Sequence, residues 1–426
     1  MGNIAILSSN ERINFLIEEN CRTWLEDFKC HFFKDYSKFV QFLNYELPSL
    51  NIICIDDPEI DSGKALRSIS KDPWLHFGGT IILYNKRDER DIIPGLKGIN
   101  IVTLISFAKL EFNLPRVFRI IGQNRWVLFQ REIHSLLSSS LSGHFTLNND
   151  PFDLITYSNL IANFLYNSGL VDGEGKEGFY IAIMELFMNA IEHGNCSISF
   201  EEKSKYLEKD GNIFDLINLK NQDPQIGNRK VELHYRITPV QSSFTIGDEG
   251  QGFDWQHYES TTGEPGLEEQ HGRGIIMARH YLKDLVYNDL GNEVTFHIEH
   301  VEHKSNEYPT FFSERDEVKF LEGDTVFKQG DESNYLYYIV SGVYEIIANG
   351  IPLSTLTPAD LFLGEMSFLL NNRRSATVKV LKPGALLKIT KEEFINAMKK
   401  KPYYGILLSR ILATRLVSLH DAKTRA

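Results

Sequence analysis

The chain has 426 residues, a formal net charge of −12 and an apolar share of 42%. That length exceeds one ordinary domain and predicts about two to four. The negative charge gives no electrostatic reason to bind nucleic acid, and no apolar run approaches the ~18 residues of a membrane span.

The first residues, MGNIAILSSN, carry neither the basic region nor the cleavage site of a secretory leader. Ile6 stands where a myristoylation signal needs a hydroxyl residue, so a cytoplasmic location is expected. The four cysteines, Cys21, Cys30, Cys54 and Cys196, are scattered without a CxxC and read as reduced thiols.

Over residues 1–125 short apolar strands alternate with helical patterns. NIAIL, FKCHFF, NIICI, TIILY and NIVTLI read as strands. Helical periods fall at 11–21, around Phe39–Leu43, at 65–69 and from Leu114 onwards. This alternation predicts a doubly wound parallel sheet. The layout resembles a response-regulator receiver domain. In that family an aspartate after the third strand accepts a phosphoryl group, and Asp56 stands there. The acidic pair that holds magnesium is replaced by Ser8, Ser9 and Asn10, so the resemblance implies a degenerate receiver used for interaction. On the residues alone, Asp56 and Asp57 make a strand-end turn before Pro58.

Residues 116–141 read as one continuous helix that ends in SSSLSG and NNDP, a hinge. Residues 126–150 are accordingly expected to be a connecting helix and linker, a possible dimer seam. His134 lies in this helix and reads as a surface residue, with a phospho-acceptor role as the alternative.

The stretch 179–194 reads as one helix, with Phe179, Ile183, Leu186, Phe187 and Ala190 on an apolar face. Glu185, Asn189 and His193 are spaced four apart and share the opposite face. Polar groups on such a helix need a partner. Two further pieces follow. The strand SSFTI runs into Asp248, Gly250, Gly252, Phe253 and Asp254, with a carboxylate at a strand end and glycines that admit close backbone approach. His271, Gly272, Arg273 and Gly274 then open another helix, whose free N–H groups suit phosphates. In this order the three pieces resemble the N, G1 and G2 boxes of the GHKL ATPases, which include histidine kinases, gyrase, Hsp90 and the anti-sigma serine kinases. The resemblance covers residues 151–303 and is closest to the anti-sigma serine kinases.

That resemblance implies an ATP site in an α+β sandwich. Asn189 would hold Mg²⁺, and Glu185 would be the general base. Asp248 would accept from the adenine amino group, with Gly250 and Gly252 against the base. Gly272, Arg273 and Gly274 would close over the phosphates, and Thr295 would support the adenine end. The polar segment 201–230 reads as a surface excursion that could also shape partner docking.

From Glu317 the texture changes to short strands with Gly323, Gly330 and Gly342 at corners, a β-roll within a last domain expected over 304–426. The run from Gly364 through Glu365 and Met366 to Arg374, Ser375 and Ala376 follows. Arg374 offers a forked cation for a phosphate, Ser375 a hydroxyl donor, and Glu365 an acceptor for a ribose hydroxyl. A helix starting at Gly364–Glu365 offers N–H groups. The run resembles the phosphate-binding cassette of cyclic-nucleotide-binding domains, which implies cAMP or cGMP as ligand. The serine after the arginine is similar to bacterial cAMP-binding members. Two helices split at Pro402 follow, and the Lys399–Lys401 run reads as a solvated helix end.

Together these resemblances imply a bacterial, cytoplasmic, homodimeric regulator of three modules. The expected reaction is ATP-dependent phosphorylation of a serine or threonine on an anti-anti-sigma-type partner, with a sigma factor further along. The alternatives are a non-catalytic ATP-dependent switch and a histidine autokinase using His134. Ligand in the last domain is expected to move its terminal helices and bias the lid at 253–271.

Overall fold

In a computed structural model, the structure describes residues 2–124, 141–252, 273–301 and 317–409, apart from positions 73, 74, 76, 77, 86, 97, 169, 209, 210, 239, 240, 371, 372, 403, 406 and 407, and adds Leu412. Side chains of 200, 273–276 and 359 are likewise not described.

The N-terminal unit is the expected doubly wound sheet. Strands β1 (Gly2–Leu7), β2 (Phe28–Phe33), β3 (Leu50–Cys54), β4 (Gly79–Tyr84) and β5 (Ile101–Ser106) are all parallel, in the order β2-β1-β3-β4-β5. Every residue of β3 is buried, as a central parallel strand covered on both faces requires. Helices α1 (Glu11–Trp24), α2 (Tyr36–Glu46), α3 (Ser62–Lys71), the single turn α4 (Glu89–Ile92) and α5 (Leu110–Gln123) link the strands. Their starts are legible in the sequence. Asn10, Asp35 and Asp61 each cap a helix by accepting a backbone N–H from its first turn. Ile13, Ile17 and Cys21 repeat every four residues and are the buried face of α1.

One expectation fails at the next junction, and another falls on residues that are not described. Helix α5 ends at Gln123, and 125–140, with His134, lie outside the described residues. The stretch read as a hinge is instead a strand, β6 (Leu141–Asn148), paired in continuous antiparallel register with β7 (Lys230–Ile237). Its serine, glycine and asparagine content has low strand propensity. The ladder to β7 and the burial of Phe145 and Leu147 decide the matter.

The second unit is an antiparallel sheet covered by helices. Strands β8 (Gln241–Asp248), β9 (Lys283–Tyr287) and β10 (Glu293–Glu299) complete the order β6-β7-β8-β10-β9. Helices α6 (Pro151–Asn167) and α7 (Gly173–Asn189) pack together on it. The surface excursion is helical: α8 (Phe200–Leu207), α9 (Ile213–Lys220) and the turn α10 (Pro224–Gly227), with Leu216 and Ile217 buried. Helix α11 (Arg273–Tyr281) packs on α7. Phe179 of α7 meets Phe244 of β8 at 5.3 Å, and Phe244 stacks on Phe296 of β10 at 5.4 Å, which fixes α7 over the sheet.

The first two units share one continuous apolar core. Arg116 of α5 spans them, 3.0 Å from Asp150 and 2.7 Å from Asp153 at the start of α6. Asp153 is 1% exposed, so losing its partner would leave a buried charge unmatched. Arg116→Ala should therefore cost about 3–5 kcal/mol. The check is the urea midpoint of the full chain; an unchanged midpoint would show that the triad contributes nothing.

The third unit is the expected β-roll, of two four-stranded sheets. Strands β11 (Glu317–Phe320), β12 (Thr325–Phe327), β13 (Tyr335–Ile339), β14 (Val343–Ala348), β15 (Ile351–Leu356), β16 (Phe362–Leu363), β17 (Thr377–Lys382) and β18 (Gly384–Thr390) form the orders β11-β18-β13-β16 and β12-β17-β14-β15. Gly323, Gly330 and Gly342 hold φ of +85°, +90° and +97°, conformations that only glycine adopts at ease. Helices α12 (Glu365–Leu369) and α13 (Lys391–Lys400) follow β16 and β18, and Thr390 and Glu393 form a capping box on α13. Lys401, read as solvated, instead lies 3.8 Å from Asp72 in the N-terminal unit. Among the described residues no helix is long and apolar enough to cross a membrane.

Candidate functional site

The stretch 179–194 is not one helix. α7 stops at Asn189, and Ala190–Asn195 form a π-helical turn, with Cys196 N–H reaching the Ile191 carbonyl five residues back. The wider turn breaks the four-residue spacing. Glu185 and Asn189 keep their shared face, whereas His193 leaves it and engages the Ile198 carbonyl through Nδ1 at 2.9 Å. Turns of this kind concentrate at functional sites because they let one more residue into a helix end.

The turn carries Gly194 against the carboxylate of Asp248, where no Cβ would fit. Gly250 in turn lies against the Gly194 carbonyl, and its N–H donates to Asp248 Oδ1 at 2.8 Å. Gly252, with φ +78°, approaches the Leu290 carbonyl too closely for any side chain. These three glycines are thus demanded by close approach, in accord with their place in the motif. Burial pushes the Asp248 carboxyl up to about 6, against the lowering effects of the Gly250 N–H and of Arg229. Tyr287 of β9 is buried well above the usual phenol range and hydrogen-bonds the Asn189 side chain. Thr295 of β10 shares a 2.9 Å hydroxyl contact with Thr245 of β8.

The fold therefore brings Asn189, Gly194, Asp248 and Gly250 together at one end of α7, with Glu185 one turn earlier. Arg273 and Gly274 begin α11, and Gly272 lies outside the described residues, as does the lid at 253–271. Three participants escaped the sequence reading. Asn195 is fully buried; it donates to the Lys230 carbonyl at 3.0 Å and accepts the Glu249 N–H at 2.9 Å, locking the turn to the loop after β8. Arg229 donates to the Asn195 carbonyl, and Tyr287 lies beyond the motif. Only the polar residue straight after His-Gly could have signalled Asn195.

Among the described residues no cluster of three or more His, Cys, Asp or Glu could cage a metal. Mg²⁺ does not need one, since it commonly takes one or two protein oxygens and completes its shell with phosphate and water. The hard carboxamide oxygen of Asn189 beside Glu185 fits that requirement.

In the β-roll, Gly364 at φ +80° begins α12 and packs against the Arg374 guanidinium, leaving no room for a Cβ. Arg374 is 3% exposed. It donates through Nη1 to the Gly364 carbonyl at 2.9 Å and to Ser367 Oγ at 3.1 Å, and through Nη2 to the Tyr335 carbonyl. Its guanidinium lies 4.1 Å over the Phe327 ring and 5.8 Å from Tyr337, and burial lowers its pKa. Among the described residues its buried Nε–H has no partner. A cation held on neutral acceptors with a spare donor is poised for an anion. Glu365 is buried, Met366 and Ser375 are exposed, and Ala376 is half-buried beside them. Ser367, tied to Arg374, was missed in the sequence.

In the N-terminal unit Asp56 lies 2.7 Å from Arg87 and accepts the Asn85 N–H at 2.8 Å. Asp57 accepts from the Ser9 N–H at 2.6 Å and its hydroxyl at 2.7 Å. An arginine and loop donors surround these carboxylates.

Comparison with known proteins finds a family for each of the two domains that carry these residues. The histidine kinase-like ATPase domain family matches residues 149–298, and the cyclic nucleotide-binding domain family matches residues 317–401. A cGMP-dependent protein kinase of Plasmodium berghei (strain Anka) is 30% identical over 152 residues, which is 34% of this chain and 16% of the relative. A cAMP-dependent protein kinase type II regulatory subunit of Drosophila melanogaster is 33% identical over 100 residues, 22% of this chain and 26% of the relative. The chain thus spans a small part of these relatives. Among solved structures, the catabolite activator protein of Thermus thermophilus aligns with a TM-score of 0.24 at 27% identity, over 27% of this chain and 55% of that one. The chain joins a histidine kinase-like ATPase domain to a cyclic nucleotide-binding domain, behind an N-terminal parallel sheet.

Proposed function

We propose that this is a cyclic-nucleotide-regulated, ATP-binding signalling protein that transfers the γ-phosphoryl group of ATP to a serine or threonine hydroxyl of an anti-anti-sigma-type partner. The observation that carries this reading is the junction of Asn189, Gly194, Asp248 and Gly250, with Glu185 one turn away on the same helix face. Phosphoryl transfer asks for positioning and charge neutralisation more than covalent work. Asp248 orients the base by accepting from its amino group. Gly250 and Gly252 let the ring lie against the backbone, and Thr295 supports that end. Gly272, Arg273 and Gly274 cover the phosphates. Glu185 takes the proton of the attacking hydroxyl. Asn189 would hold Mg²⁺ through its side-chain oxygen, and the ion would supply neutralisation of phosphate charge. The receiver-like reading of the N-terminal domain, the cytoplasmic setting and a homodimer belong to the same proposal. So does cAMP, favoured over cGMP by Ser375.

The test is incubation with γ-labelled ATP and candidate partners, with and without cAMP. Glu185→Ala should lower transfer by about 10²–10⁴-fold while ATP affinity stays within a few-fold. Equal transfer would remove Glu185 as base. ATP binding without any transfer would leave the non-catalytic switch. An acid-labile phosphoprotein lost in His134→Ala would point to the autokinase.

A further inference from the structure

The basic run Lys399–Lys401 at the end of α13 has a destination. The groove between the N-terminal domain and the end of α13 is lined by Tyr36, Val40, Gln41 and Ser68 on one side and Lys400 and Pro402 on the other, with a volume of about 330 Å³. At its margin Lys401 lies 3.8 Å from Asp72, a carboxylate 6% exposed at the end of α3. Leu47 is packed against both the core of the N-terminal domain and the core beneath α13, the latter together with Met398 and Leu361. It ends α2 at φ +48°, a left-handed conformation that a leucine rarely adopts. Such a residue persists where its surroundings over-determine it, and here two domains grip one side chain.

This surface is joined to both nucleotide sites by discrete contacts. On the sensor side Arg374 is bonded to Ser367 in α12, and Phe368 of α12 meets Phe394 of α13 edge to face at 5.6 Å. A phosphate that recruits the Arg374 donors competes with the bond to Ser367. The packing then passes the shift to α13 and its basic end. On the ATPase side the N-terminal domain is fastened by the Arg116 triad and by Asn163 of α6, which donates to the Ile101 carbonyl of β5 at 2.7 Å. Helix α6 packs against α7, which ends in the Asn189 turn.

We infer that the α2–α3 face of the N-terminal domain is the docking surface of the sensor's own helix α13, and that cyclic-nucleotide occupancy reaches the ATP site through this domain rather than by α13 touching the lid. The inference rests on the reading that both nucleotide sites bind their ligands. Coupling of this kind is a ratio, the ATP affinity with saturating cAMP over that without it, and such ratios commonly lie between about 5 and 150.

The experiment uses the full chain and measures MgATP and cAMP affinities separately, then the ratio. Lys401→Asp should bring the ratio to within about twofold of 1 while leaving each separate affinity within about twofold of wild type. The double variant Asp72→Lys with Lys401→Asp restores the attraction with the charges exchanged, so it should recover most of the ratio. Leu47→Ser, which alters no charge, should lower the ratio in the same way. Hydrogen exchange in the wild type should change on cAMP addition over α2 and α3. A ratio untouched by Lys401→Asp and by Leu47→Ser overturns the route. So does a wild type that binds both ligands with a ratio of 1, although both binding sites would then stand. Failure to bind ATP at all would instead overturn the proposed function, and the route with it.

Discussion

Arg374→Ala should weaken cyclic-nucleotide binding by at least about 30-fold and by up to several thousandfold, since losing a buried, charge-assisted partner costs about 2–5 kcal/mol. The side chain is buried against Phe327 and Tyr337, its bonds go to two carbonyls and one hydroxyl, and among the described residues Nε is left over. Each of those acceptors is neutral, so an anionic phosphate offers the guanidinium a stronger partner than it has at rest. Arg374→Lys keeps the charge but not the planar fork, and should fall between wild type and alanine. Titration of a fluorescent cAMP analogue reads both variants. Affinity within threefold of wild type in Arg374→Ala would separate this arginine from ligand binding. Thermal melts of the two variants control for folding, because the Gly364 and Ser367 contacts disappear with the side chain.

The second large effect is a pH dependence of opposite sign in two observables. Asp248 has its folded-state pKa raised from 3.8 to about 6, chiefly by burial. For a raised carboxyl pKa, the folded state binds the proton more tightly than the unfolded one. The stability this confers is fully present below about pH 4 and is lost as pH rises through about 6. In the proposed role, however, Asp248 must be ionised to accept from the adenine amino group. ATP affinity should therefore fall as pH drops from 7.5 to 5, by tenfold or more, while this group's contribution to apo stability grows. Asp248→Asn removes the titration; its ATP affinity should be lower at pH 7.5 and should lose this component of the pH slope. Calorimetric titration with MgATP on both proteins separates it from protonation of the phosphates, which the two share. Equal slopes in the two proteins would detach Asp248 from the base.

Much of the architecture was legible because local chemistry and the final fold agree. Asn10, Asp35 and Asp61 are residue types that favour the N-cap, and they cap their helices. The all-buried β3 is apolar but for Asn51, and the glycine corners of the β-roll take the positive φ that only glycine accepts cheaply. The motif glycines also carried their reason in plain view: Gly250, Gly252 and Gly364 stand where a Cβ would strike backbone or guanidinium.

The misreadings have a common physical cause. Residues 141–148 have turn-forming composition and became a strand because β7 offered a ladder, a partner more than eighty residues away. The stretch 179–194 has an unbroken helical period, yet from Ala190 the chain opens into a π turn that runs on to Asn195, whose side chain is claimed by Lys230 and Glu249. Lys401 belongs to a run that looks solvated until Asp72 arrives from another domain.

By itself the sequence determined the classes of the units, the helix caps, the glycine-dependent turns and the identity of the residues able to meet a phosphate or a base, because each of these depends on neighbours within a few positions. Only the tertiary structure decided that β6 is a strand, that Asn189 ends α7 at a widened turn, that Asp248 is buried enough to titrate near 6, and that the N-terminal domain touches both of its neighbours. Those depend on desolvation and on contacts between residues far apart in the chain, which no local pattern encodes.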